Sequence, residues 1–442
     1  MHELSTKLSQ NSAQIGIIGL GYVGIPIAVE YAKKGFHVRG FDLDEKKVKA
    51  INHGENYIDD IDDADMRQIV DDKLFSATTT FEDLVRQDVI YICVPTPFKR
   101  NKEPDNSHIH AAAQAIAERL QKGQLIIIKS TTYPETTENE VLPILEKPGF
   151  KVGQDFYLAF SPERVDPGNK KFTTANTPIV VGGVTEDCTK IAAEAIGKII
   201  THVHTVSNPR VAEMEKLLEN IFRSVNIALV NELARLCDRM GGIDIWEVVE
   251  AAATKPFGFM PFYPGPGIGG HCILVDPYFL SSKAREYDFH TNFIELAAET
   301  NEDMPFYVSG MIRRSLSLLG VPFLDATVLV LGVAFKKDID DTRNSPALKI
   351  MELLMQRGVT KLHYNDPYVP SIKVLDKKFK SVEISPEFLQ QCDVVVIATN
   401  HSAYDYEMIA ANAKSVVDTR NATNGIKKQG DKILKLGSGV RF

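Results

Sequence analysis

The sequence predicts an α/β protein, with two doubly wound units of strands and helices joined by a long central helix. Three observations carry this. Short apolar runs alternate with helical patterns near the start of the chain, and they do so again after residue 320. Between them, residues 208–240 show continuous helical periodicity. The 442 residues are enough for two or three domains at roughly 150 residues each.

In the first unit, residues 14–19 read as a strand, 21–35 as a helix and 36–42 as a second strand. Residues 89–94 and 125–129 are further strand-like runs, and the unit closes near residue 205. The middle segment follows. Val211, Met214, Leu217, Leu218 and Ile221 recur at helical spacing, and no proline follows Pro209 before residue 240. A helix of about 30 residues is about 45 Å long, which suits a connecting spine or a dimer element. Two ordinary helices with a kink are the alternative. Residues 255–270 hold four prolines and five glycines in sixteen positions, so they form an ordered loop rather than helix or sheet. Helical patterns then run to about residue 319, and residues 326–333, 361–364 and 393–399 are strands of the second unit. The predicted domains are therefore 1–206, 207–320 and 321–442.

Composition narrows the function. The 50 Lys and Arg against 58 Asp and Glu give a net charge of −8, which disfavours a broad basic face for nucleic acid or anionic membrane. No apolar run approaches the roughly 20 residues of a membrane span, and residues 1–13 carry no signal-peptide core. Five widely spaced cysteines without a C-x-x-C pair argue against a disulfide framework or a metal site, and for a reducing cytoplasm.

Six places carry chemistry. Gly19-Leu-Gly21-Tyr22-Val23-Gly24 follows the first strand and opens a helix. There the first glycine allows a tight turn, the second admits a pyrophosphate, and the third packs helix on strand. Asp42, 18 residues beyond Gly24, ends the second strand, where an acid accepts from ribose hydroxyls and repels a 2′-phosphate. This predicts NAD rather than NADP; a glycine-rich structural turn is the alternative. Cys272, in Gly269-Gly270-His271-Cys272, is the candidate thiolate nucleophile, against a buried structural thiol. His271 is either an acid/base group or a shaper of the loop. Lys216 and Asn220 share a helix face and could hold an oxyanion, or could simply be solvated surface. Glu163 stands at a strand end as a candidate general base, with an ion pair to Arg164 as the alternative. Ser130 and Thr131 end another strand, at the edge where α/β proteins bind ligands. Phe335-Lys336-Lys337-Asp338, with Arg343 close behind, is a local basic cluster suited to a phosphate, or a solvated turn.

Together these motifs resemble the UDP-glucose/GDP-mannose dehydrogenase family over about residues 14–420. The landmarks are GLGYVG, VPTP at 94–97 (with Pro95 and Thr96), KST at 129–131, SPER at 161–164, Lys216 with Asn220, GGHC with Asp276, and FKKDIDDTR at 335–343. The resemblance implies two Rossmann-like domains joined by a dimerising helix, and a four-electron oxidation of a sugar C6 alcohol that reduces two NAD. It implies that Cys272 forms a thiohemiacetal and then a thioester, and that Glu163 is the base for hydrolysis. Lys216 and Asn220 would hold oxyanions, while Thr131 and Asp276 would order water and the first proton transfer. NAD would contact Gly19, Gly21, Tyr22, Val23, Gly24, Asp42, Pro95, Thr96, Ser130, Thr131 and Arg343. The UDP-sugar would contact Glu163, Arg164, Lys216, Asn220, Phe262, Tyr263, Gly269, His271, Phe335 and Lys336. Where UDP-glucose enzymes usually carry GGSCFxKD, this chain has His271 for Ser and Val275 for Lys. That departure points to the branch acting on N-acetylhexosamine nucleotides, with UDP-N-acetylglucosamine first, UDP-N-acetylmannosamine next and UDP-glucose after them. Glu135 stands where the family often has Gly.

Three other classes are weighed. A two-electron β-hydroxyacid or 6-phosphogluconate-type dehydrogenase needs neither Cys272 nor residues 321–442. A non-catalytic nucleotide-sugar or redox sensor would not need so full a set of reactive groups. A short-chain-type epimerase would need a Y-x-x-x-K motif, which is absent.

Overall fold

A computed structural model describes residues 1–58, 61–97, 103–164, 172–270, 272–426 and 432–440. The chain divides into two compact units, Met1–Glu219 with Tyr278–Phe289, and Asn220–Pro277 with His290–Phe442.

The first unit is built on an eight-stranded sheet. Its strands are β1 (Gln14–Ile18), β2 (His37–Phe41), β3 (Phe75–Thr78), β4 (Val89–Ile92), β5 (Leu125–Ile128), β6 (Tyr157–Phe160), β7 (Ile179–Gly183) and β8 (Val203–Thr205). The order is β3-β2-β1-β4-β5-β6-β7-β8, and the first six strands are mutually parallel. Alternate residues along one apolar run feed opposite faces. Val89, Tyr91, Leu125 and Ile127 enter one core, while Ile90, Ile92, Ile126 and Ile128 enter another. Such runs arise because helices cover both faces of the sheet. The parallel pattern breaks once, where β6 and β7 run antiparallel. An antiparallel step needs no crossover helix. An amino-terminal helix, His2–Ser9, also joins this unit, burying Leu4 and Leu8.

The second unit carries β9 (Thr327–Leu331), β10 (Lys361–Asn365), β11 (Ser371–Val374), β12 (Lys377–Lys380), β13 (Val394–Ile397), β14 (Val416–Asp418) and β15 (Ile433–Lys435). Five of these make a parallel sheet in the order β10-β9-β13-β14-β15, and β11 and β12 form a hairpin. Again the strands are split between two cores: Val328, Val330, Val394 and Val396 on one side, Leu329, Leu331, Val395 and Ile397 on the other.

Residues 209–240 form one continuous 32-residue helix, Pro209–Met240, the first of the two sequence alternatives. Residues 255–270 contain no regular element. The Cys272–Ala284 helix begins directly after them, and Asn292–Leu318 follows. The doubly wound α/β class and the long central helix match the sequence reading. No helix among the described residues is long and apolar enough to cross a membrane.

Candidate active site

In open α/β sheets, ligands bind beyond the carboxyl ends of the strands where the strand order reverses. In the first sheet that point lies between β1 and β4. The glycine loop leaves β1 there, and residues 93–97 leave β4 beside it. Gly19 has φ +96°, and a Cβ on it would stand 2.6 Å from the Cys93 carbonyl. A Cβ on Gly24 would stand 2.0 Å from the Gly19 carbonyl, whereas nothing lies within 4 Å of one on Gly21. Two glycines thus permit the turn, and the third leaves open space above it. Tyr22 is exposed, and Val23 caps the Gly24–Lys33 helix, whose amino end faces that space. Asp42 accepts from the Leu20 N–H at 2.8 Å, which brings its carboxylate to the glycine loop. Pro95 is exposed and Thr96 buried. Ser130 donates to the Val94 carbonyl at 2.7 Å and so joins the β4 and β5 ends; Thr131 beside it is half-buried. This cradle fits a dinucleotide: a backbone approach for pyrophosphate, a helix amino end, and an acid for ribose hydroxyls.

Glu163 lies just past β6. Its Oε1 accepts from the Arg164 backbone N–H at 2.9 Å, and its Oε2 is 3.4 Å from Lys129 Nζ. The Arg164 guanidinium instead meets Glu215 and Glu219. The simple Glu163–Arg164 ion pair is therefore not what forms. Lys216 is buried at 8 % exposure and donates to the Glu163 carbonyl at 2.5 Å, so it is not solvated helix surface.

Glu135 adopts φ +82°, a left-handed conformation unusual for a non-glycine residue. Its carboxylate meets Lys283 at 2.8 Å, Arg210 at 3.2 Å and the Tyr287 hydroxyl. The Lys283 and Tyr287 hydrogen bonds hold its pKa below the usual carboxylate range. Its N–H donates to Glu213, which also accepts from Thr137 N–H at 2.9 Å and Thr137 Oγ1 at 2.7 Å.

The second unit presents its own set. Asn220 donates to Asp276 at 2.5 Å, and both are buried. Asp276 lies one turn on from Cys272, the first residue of its helix. Sequence placed Cys272 at the end of a loop; its backbone is already at a helix amino end. The side chain of Cys272 and the whole of His271 lie outside the described residues. The glycine-rich loop closes on Phe335. Cβ atoms at Gly269 and Gly270 would stand 2.5 and 3.1 Å from its side chain, so only glycine fits unchanged. Gly270 is also held by the Arg343 carbonyl and by Asn344 Nδ2. Phe335 and the half-buried Lys336 follow β9, at the reversal point between β9 and β13. The Arg343 guanidinium is clamped by Asp341. Phe262 packs edge-on to Phe222, and Tyr263 stacks on Trp246 at 5.7 Å.

Sequence reasoning passed over Arg420. It follows β14, donates from Nε to the Ala398 carbonyl at 2.9 Å, and points Nη1 at Gly265. Burial pulls its pKa down to about 10, which leaves it cationic at neutral pH. The charge of Asp418 acts in the opposite direction, favouring the cation. The position of Arg420 at the carboxyl edge of a strand was the available signal.

Residues 13–201, 210–303 and 329–425 match, in order, the NAD binding, central and UDP binding domains of the UDP-glucose/GDP-mannose dehydrogenase family. The chain belongs to that family. Its cofactor is NAD, and it is a UDP-sugar dehydrogenase. A UDP-N-acetyl-D-mannosamine dehydrogenase of Pyrococcus horikoshii is 36 % identical over 92 % of this chain and 95 % of the relative. A UDP-N-acetyl-D-glucosamine 6-dehydrogenase of Pseudomonas aeruginosa is 34 % identical over 88 % and 91 %. The solved UDP-D-ManNAc dehydrogenase structure from P. horikoshii superimposes with a TM-score of 0.87 at 34 % identity, covering 97 % of this chain and all of that one.

Proposed function

We propose that this enzyme oxidises the C6 hydroxyl of a UDP-N-acetylhexosamine to the carboxylate, supplying a precursor for surface polysaccharide. The observation that carries the reading is the start of the Cys272–Ala284 helix: Cys272 at its amino end, and Asp276 one turn on and bonded to Asn220. A helix amino end favours the thiolate, which is the nucleophilic form. Two NAD, bound one after the other, would each accept one hydride, so that the four-electron oxidation yields two NADH.

The chain's own groups do the rest. Asp276 takes the first proton from the C6 hydroxyl. The Cys272 sulfur adds to the resulting aldehyde, giving a thiohemiacetal, and remains bonded to carbon as that becomes a thioester. Lys216 and Asn220 hold the oxygen while it carries charge. Thr131 orders water, and Glu163 takes a proton from it as the water attacks the thioester, freeing the acid and the thiolate. Arg343, Tyr22, Val23, Pro95, Thr96 and Ser130 complete the cofactor contacts. Arg164, Phe262, Tyr263, Gly269, His271, Phe335, Lys336 and Arg420 complete those to the UDP-sugar. On this reading, residues 1–206 serve NAD, 207–320 dimerisation and 321–442 the nucleotide.

UDP-N-acetylglucosamine is the first substrate we infer, from the Gly-Gly-His-Cys segment followed by Val275-Asp276. UDP-N-acetylmannosamine is the second, because a relative bearing that activity is equally similar. Exposed Met214, Leu218, Phe222, Leu229 and Leu236 on the long helix support a homodimer. Four described cysteines are free and buried, as suits a reducing cytoplasm.

The test is NADH formed per sugar consumed, with limiting UDP-N-acetylglucosamine, UDP-N-acetylmannosamine and UDP-glucose in separate runs. Two NADH per UDP-N-acetylglucosamine, with little turnover of the others, is the expected result. Two per UDP-N-acetylmannosamine would keep the chemistry and change the substrate. One NADH per sugar would remove the thioester step.

A further inference from the structure

Three neighbouring parallel strands each release one group at the same edge of the first sheet. Cys93 follows β4, Lys129 follows β5, and Glu163 follows β6. Lys129 is a buried lysine, 3 % exposed. Its Nζ donates to the Pro162 carbonyl at 3.0 Å and faces Glu163 Oε2 at 3.4 Å. The other cations nearby are directed elsewhere. Lys216 goes to the Glu163 carbonyl rather than to its carboxylate, and the Arg164 guanidinium goes to Glu215 and Glu219. Cys93 is a further titratable neighbour among the described residues. Burial pushes its thiol up to about 12, so it stays neutral beside the pair.

A buried ammonium beside a carboxylate favours the ionised acid, and a general base must be ionised to work. We propose that Lys129 is a positioning residue for thioester hydrolysis: it keeps Glu163 charged and holds the Pro162–Glu163 segment at the sheet edge. Two lysines thus grip successive carbonyls, Lys129 on Pro162 and Lys216 on Glu163, and Lys129 also faces the carboxylate. The inference rests on the reading of Glu163 as the hydrolytic base.

The test uses the full-length enzyme with NAD and the UDP-sugar it turns over fastest. Lys129→Gln keeps a donor for the Pro162 carbonyl but removes the charge, and Lys129→Met removes both. In Lys129→Gln, the acid limb of the kcat–pH profile should move up by about one to three pH units. The rate at pH 7 should fall about tenfold or more and recover in alkali. NADH from the first turnover should still form rapidly, with a sugar adduct on the protein visible by intact mass. An unmoved acid limb, with activity lowered evenly at every pH, would overturn the proposal and leave Lys129 a structural group. Loss of NAD binding by both variants would overturn it equally. If Glu163→Gln forms acid at the normal rate, the base reading itself fails, whatever Lys129 does.

Discussion

At the scale of single residues, adjacency in sequence misleads around Glu163. Its neighbour Arg164 lends it a backbone N–H, while the guanidinium turns to Glu215 and Glu219, half a hundred residues away. The carboxylate instead faces Lys129, from another strand end. No spacing rule announces a partner delivered by a neighbouring parallel strand. Groups whose roles follow from local backbone were legible. The glycine loop is one, because a Cβ at Gly19 or Gly24 would collide with backbone. Asp42 is another, because the strand end that carries it is fixed by the sheet register. Cys272 tests the chemistry most directly. Cys272→Ala should form no acid, while its affinity for NAD, measured by calorimetric titration, stays within about twofold of wild type. An alanine variant that still forms the acid would exclude a sulfur-bound intermediate.

At the scale of elements, apolar density decided part of what could be read, although the fully buried β7 and β14 were passed over too. Strands β1, β4, β5, β9 and β13 are continuous apolar runs, buried on both faces, and stand out in the sequence. Strand β3 (Phe-Ser-Ala-Thr) buries only alternate residues, and β8 (Val-His-Thr) buries none fully. Their pairing partners make them strands, so sequence passed them over. The segment after β5 shows the same dependence on distant parts of the chain. Glu135 is held in a left-handed conformation by Lys283, Arg210 and Tyr287 from outside its own segment. Glu213, on the long helix, accepts the N–H of Glu135 and two donors of Thr137. Burial raises its pKa to about 7 against those three hydrogen bonds. A raised carboxyl contributes stability below its unfolded value of about 4.5 and loses it as pH rises through 7. Denaturant unfolding of wild type and Glu213→Gln should therefore show a gap that shifts against wild type by about 2–3 kcal/mol between pH 5 and pH 8. A pH-independent gap would mean that Glu213 titrates as an ordinary glutamate.

At the scale of the whole molecule, the chain passes between its two units three times, after Glu219, Pro277 and Phe289. The sequence break near residue 206 marks where strand-helix alternation stops. It does not mark where the first unit's contacts stop, because the opening turns of the long helix belong to that unit. Ala212 packs in its core, and Glu213 takes up buried donors from the segment after β5. Those contacts arise from residues some 75 positions apart, which is why a local reading does not see them. The consequence can be measured on two fragments. A chain of residues 1–206 would leave the Thr137 N–H and hydroxyl without their acceptor, at a cost of about 1–3 kcal/mol for each buried group left unpaired. Residues 1–219 restore Arg210, Ala212 and Glu213 together. The longer fragment should melt several degrees higher by calorimetry and bind NAD more tightly. Equal melting temperatures and affinities would show that the helix turns from 209 to 219 add nothing to the NAD-binding unit, and that its folding ends where strand-helix alternation does.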